Sequence, residues 1–152
     1  MNTTVEIQSQ TAAEPPQFAL RLGYAGLIPF VGGALLVWLV WPAMHPYTTM
    51  ALSAYAAVIV SFLGGIHWGI AFRDAEPPPS LFVWGVVPSL AAWVAVMMPP
   101  SAGLVIHALM LFVCYLVDRK VYPAFGLQRW LTLRFRLSMV AAASCLLGAA
   151  GT

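Results

Sequence analysis

The stretch TMALSAYAAVIVSFLGGIHWGIAF, Thr49–Phe72, contains no Asp, Glu, Lys or Arg. A helix of about 20 apolar residues crosses the hydrocarbon core of a bilayer. Inside lipid a backbone must satisfy its own polar groups, and a helix does so within a single segment. Thr49–Phe72 therefore reads as a membrane-spanning helix, and the rest of the chain can be read from it in both directions.

Four further stretches have the same character: residues 20–41, 81–98, 102–117 and 131–150. The last is apolar from Leu137 onward and reaches full thickness only by extending back past Arg136 and Arg134, whose long stems can snorkel to the headgroups. Prolines lie between the stretches, at Pro42, Pro46, Pro77–Pro79, Pro99–Pro100 and Pro123. Pro29 and Pro88 lie inside the first and third, where each should kink its helix and free a carbonyl for a neighbour. The expectation is an all-α bundle of five transmembrane helices covering residues 18–152. Residues 1–17 are read as a flexible cytoplasmic tail, with neither a secretory signal nor a mitochondrial presequence. The stretch Gly126–Arg136 reads as an amphipathic segment at the cytoplasmic interface.

Composition agrees. Of 152 residues, 61% are hydrophobic and 8% charged, with a mean hydropathy of +0.85. Soluble domains carry about 25% charged residues, so the natural solvent here is lipid. The net charge of +2 follows from loop and helix-end residues and does not imply nucleic acid. With five spans, Arg21, Arg73, Arg119, Lys120, Arg129, Arg134 and Arg136 all fall on the N-terminal side. The positive-inside rule then places the N-terminus in the cytoplasm and the C-terminus in the periplasm.

Within the second span, Ser61, Gly65 and Gly69 recur every four residues, with Gly64 beside them. This small-xxx-small face lets helices approach closely. His67 stands among them, about 9 Å by helical rise from Arg73, where an imidazole needs a hydrogen-bond partner. It is either a fastener of the bundle or a site for a proton, quinone, small ligand, metal or haem. The candidate intramembrane polar site is His67, Trp68, His107, Tyr55 and Tyr115. His107 should lie about 12 Å from His67 in depth, too far to share a metal, and His45 should be solvated in the outer loop. Arg73, Asp74, Asp118, Arg134 and Arg136 form a candidate cytoplasmic charge cluster, with a bridge from Asp118 to Arg134 or Arg136. Trp38, Trp41, Trp84 and Trp93 read as interface anchors. Cys114 and Cys145 fall in opposite bilayer halves and should not be paired. No metal-ligand spacing or nucleophile–base pair is present, so no metal, cofactor or catalytic residue is expected, and a hydrolase is the least favoured class.

Tyr55–Ala71, Val86–Leu90 with Trp93, and Arg134–Leu137 together resemble the domain of unknown function 3429 family, whose animal members are called transmembrane protein 69. The resemblance covers about Leu20–Leu147 and implies a small polytopic protein of bacterial inner membranes and of mitochondria. It carries over no catalytic residues. The leading expectation is a non-catalytic accessory or assembly subunit of a larger bioenergetic membrane complex, held by the lipid bilayer and by a membrane-protein partner or a second copy. The alternatives are an oligomeric transporter or proton conductor using His67, and a quinone- or haem-associated membrane protein.

Overall fold

The computed structural model describes residues 14–152, so most of the expected N-terminal tail lies outside the described residues. Five spans are long and apolar enough to cross a membrane: Gln17–Leu39, Pro42–Ala71, Pro79–Met97, Pro100–Phe125 and Gln128–Ala150. No strand occurs among the described residues. The chain is an all-α polytopic membrane protein.

The first span is two helices, α1 (Gln17–Ala25) and α2 (Ile28–Leu39). Proline in a helix removes one amide hydrogen and collides with the carbonyl four residues earlier. Pro29 accordingly ends α1 at Ala25, and the break falls at Gly26–Leu27 rather than at the proline itself. The Gly26 carbonyl in the break accepts a hydrogen bond from the Tyr55 hydroxyl at 2.9 Å. Pro88, by contrast, sits within an uninterrupted α4 (Pro79–Met97).

The loop prolines act mainly as helix starters. Proline at the first or second position opens α3 (His45–Ala71), α4 and α5 (Pro100–Val121), where its missing amide hydrogen costs nothing. The outer turn after α2 is a short 3₁₀ segment, Pro42–Met44, and α3 begins at His45, four residues before the expected Thr49. His45 is thus not a solvated loop residue. It opens α3 half-buried, with Nε2 3.1 Å from the Val40 carbonyl.

After α5 come two 3₁₀ turns, Tyr122–Phe125 and Gln128–Trp130, and then α6 (Leu131–Ala150). Gly126 joins the turns at φ +70°, a conformation that glycine adopts without strain. Leu131–Arg136 is the start of the last spanning helix.

Helix α3 is the hub and contacts α2, α4, α5 and α6, whereas α1 touches mainly α6. Helices α3 and α4 approach closely at Gly64 and Gly85. A Cβ on Gly64 would strike the Gly85 carbonyl oxygen, and one on Gly85 would strike the Trp68 indole. Gly64 is therefore the packing glycine. Gly65 and Gly69 are exposed with nothing within 4 Å of an added Cβ, and Ser61 is half-buried. Most of the interior is one apolar core that includes Phe30, Leu52, Val60, Leu104, Leu111 and Cys145. A second core at the basic end gathers Ile70, Ala71, Leu81 and Tyr122. Cys114 and Cys145 are both free and buried.

Candidate functional site

Helical spacing brings three ionisable residues together. On α5 the buried positions run Gly103, Leu104, His107, Ala108, Leu111, Cys114 and Asp118. Asp118 therefore continues the apolar stripe that faces the bundle. On α6 the inward stripe is Leu133, Arg134, Ser138, Ala141, Ser144, Cys145 and Gly148; Arg134 lies on it and Arg136 does not. On α3, Leu63, Gly64, His67, Ile70 and Ala71 point inward.

Arg134 Nε donates to Asp118 Oδ2 at 2.8 Å, and Nη2 lies 2.6 Å from the same oxygen. His67 Nε2 lies 3.5 Å from Asp118 Oδ1, and Nδ1 lies 3.4 Å from the Leu63 carbonyl. Both imidazole nitrogens face acceptors, and a neutral ring with one N–H can serve only one of them. His67 and Asp118 are each 1% exposed and Arg134 8%. Trp84 stands edge-on to His67 at 6.5 Å between ring centroids, and Tyr122 lies 6.4 Å from it. The cluster thus joins α3, α4, α5 and α6, with the main core on one side and the Tyr122 core on the other.

Removing two charges from water costs several kcal/mol per ion, so the site persists only because the pair is close and hydrogen-bonded. Chemically it offers a carboxylate held between a guanidinium and an imidazole. Among the described residues, no three His, Cys, Asp or Glu side chains converge as metal ligands would.

The expected sites are redistributed. The Asp118–Arg134 bridge forms, and Arg134 turns into the core instead of snorkelling. Arg136 is exposed and donates to the Tyr24 hydroxyl at 3.3 Å. Arg73 and Asp74 do not join the cluster; they lie exposed in the turn after α3, where the Asp74 carboxylate accepts from the Glu76 amide at 3.2 Å. The expected intramembrane polar set does not come together either. Trp68 packs edge-on against Phe82 and donates to the Phe82 carbonyl at 3.0 Å. Tyr55 serves the break in the first span, and Tyr115 packs at a tilt against Phe135, 5.2 Å between ring centroids. His107 lies eleven residues before Asp118 on α5, about 16 Å along the helix. It is fully buried, with no hydrogen-bond partner on either ring nitrogen among the described residues. Trp84 is a half-buried neighbour of His67 rather than an interface anchor. Trp38 remains exposed but also donates to the Leu147 carbonyl at 3.0 Å, tying α2 to α6.

A groove of about 430 Å³ opens sideways between the first span, α3 and α6. Its walls are almost wholly apolar and include Gly23, Gly26, Phe62 and Leu137, with Arg134 and Ser138 as the polar lining residues. Sequence reading missed Tyr122 and Trp84 as neighbours of His67 and Ser138 as a lining residue of the groove. The available signal was position on the buried stripe, which a polar residue inside an apolar run marks.

The family model described as Protein of unknown function (DUF3429) matches residues 15–150. Transmembrane protein 69 of Xenopus tropicalis is 42% identical over 87 residues, covering 55% of this chain and 34% of that protein. Transmembrane protein 69 of Mus musculus is 31% identical over 87 residues, covering 55% and 35% respectively. The chain thus matches about a third of the length of these relatives. No solved structure matches it. Because that family model matches residues 15–150, nearly the whole length, the chain belongs to the DUF3429 family.

Proposed function

We propose that the protein is a non-catalytic accessory or assembly subunit of a larger bioenergetic complex in the bacterial cytoplasmic membrane, with its N-terminus in the cytoplasm and its C-terminus in the periplasm. The observation that carries this reading is the outward face of α3. Ser61 is half-buried, and Gly65 and Gly69 stand in open space on the exposed side of the hub helix. Small residues at helix interfaces let backbones approach closely, and lipid alone gives no reason to clear a face of side chains. The loops are too short to hold a separate soluble site, which also favours a role within the membrane. Proton conduction through His67 has less support, because Tyr122 and its apolar neighbours close the cluster toward the basic end.

Replacing both Gly65 and Gly69 with Leu tests the proposal, since both positions are exposed and an added Cβ at either meets nothing within 4 Å. The wild-type chain, extracted from its native membrane in a mild detergent, should migrate within a large assembly. The double variant should keep its melting temperature and migrate as the 16.4 kDa chain with its micelle. A wild-type chain that migrates alone would overturn the reading, and an assembly of identical chains would replace the foreign partner with a second copy.

A further inference from the structure

We infer that the lateral groove is a binding site for an uncharged amphiphile with a long apolar tail and a carbonyl head, the chemistry of a membrane quinone. The inference stands apart from the accessory role. Its first support is shape. Gly23 and Gly26 withdraw side chains from the wall contributed by the first span, leaving about 430 Å³, within the usual range for small-molecule pockets of roughly 300–1,000 Å³. The groove opens toward the lipid, the direction from which a tailed ligand arrives.

The second support is polar. Ser138 lines the groove at 1% exposure, and its hydroxyl has no hydrogen-bond partner among the described residues. A buried donor left unmade is costly, and an acceptor on a ligand would satisfy it. One turn away, Arg134 lines the same groove. Its guanidinium carries five N–H donors, and Asp118 engages it through Nε and Nη2, so donors remain.

The third support selects the charge of the head. Asp118 already neutralises Arg134. A phosphate or carboxylate would bring an uncompensated negative charge into an apolar wall, at a large desolvation cost. A carbonyl oxygen accepts from Ser138 and Arg134 without that cost. The site differs from the aromatic pocket expected around His67, Trp68 and Tyr55: none of these lines the groove.

The test uses the full chain in detergent with decylubiquinone as the probe. Quinones quench indole fluorescence, and Trp130 lines the groove. Quenching should saturate, and Trp130→Phe should remove the saturable part. Ser138→Ala, which changes no volume of consequence, should raise the Kd about fivefold, the effect of one lost hydrogen bond. Gly23→Leu should abolish saturation by filling the groove. Phosphatidylglycerol and phosphatidylethanolamine, added at the same concentration, should leave the Kd unchanged. Quenching that rises linearly in wild type, or a Kd unaltered by Ser138→Ala, would overturn the inference. Displacement by phosphatidylglycerol would assign the groove to an anionic lipid instead, and displacement by both phospholipids would assign it to acyl chains alone.

Discussion

Asp118 is the buried acid that links α5 to both α6 and α3. Its carboxylate is 1% exposed and is approached by Arg134 on one oxygen and His67 on the other. Breaking a buried pair by removing one partner leaves an uncompensated charge and costs about 3–5 kcal/mol. Arg134→Leu should therefore collapse the yield of folded protein and the detergent melting temperature. Combining it with Asp118→Leu should recover much of both, because an apolar pair leaves no orphan charge. If the double variant melts no higher than Arg134→Leu alone, the pair is not what holds these helices. The bridge was legible in the sequence because both residues lie at the same end of adjacent spans. The place of His67 in it was not. Helix rise gives depth but not rotation, and His67 meets Asp118 because α3 is turned to bury Leu63, Gly64 and Ile70 on that side.

At the level of single helices, the glycines of α3 divide into two kinds that look alike in sequence. Gly64 lies against the backbone of α4, while Gly65 and Gly69 face outward. The four-residue repeat of Ser61, Gly65 and Gly69, with Gly64 beside it, marked a packing face without saying which of its glycines meets a helix of this chain, because periodicity identifies a face but not which way it points. Gly64→Ala should consequently lower the melting temperature, since neither the Gly85 carbonyl nor Pro88 can yield without moving α4. Gly65→Ala should leave it nearly unchanged. Equal melting of the two variants would refute the assigned packing. The first span teaches a related lesson. Pro29 announces a break, and helix geometry places that break about one turn earlier, at Gly26. The hydroxyl that completes it, from Tyr55, lies on another helix and leaves no trace in local sequence.

For the molecule as a whole, span number and helical class were readable from hydropathy alone, since five apolar runs separated by prolines admit few other folds. The groove was not readable, because it arises where three spans diverge and its walls are ordinary apolar residues. The distribution of Lys and Arg predicts that a reporter fused after Thr152 is active only when it works in the periplasm. A fusion active only in the cytoplasm would invert the topology and the direction assigned to every depth. The structure adds that Arg134 and Arg136 join α6 to α5 and α1 at one end of the bundle, through Asp118 and Tyr24.

The order of the helices along the chain gives the buried pair a bearing on biosynthesis. The ribosome delivers Asp118 with α5 before it makes Arg134, so a nascent chain carries an unmatched acid until its last helix enters the membrane. A product cut short after Val121 would keep that acid without its Arg134 partner. Pairing of Asp118 therefore waits on the arrival of α6, the last helix of the chain.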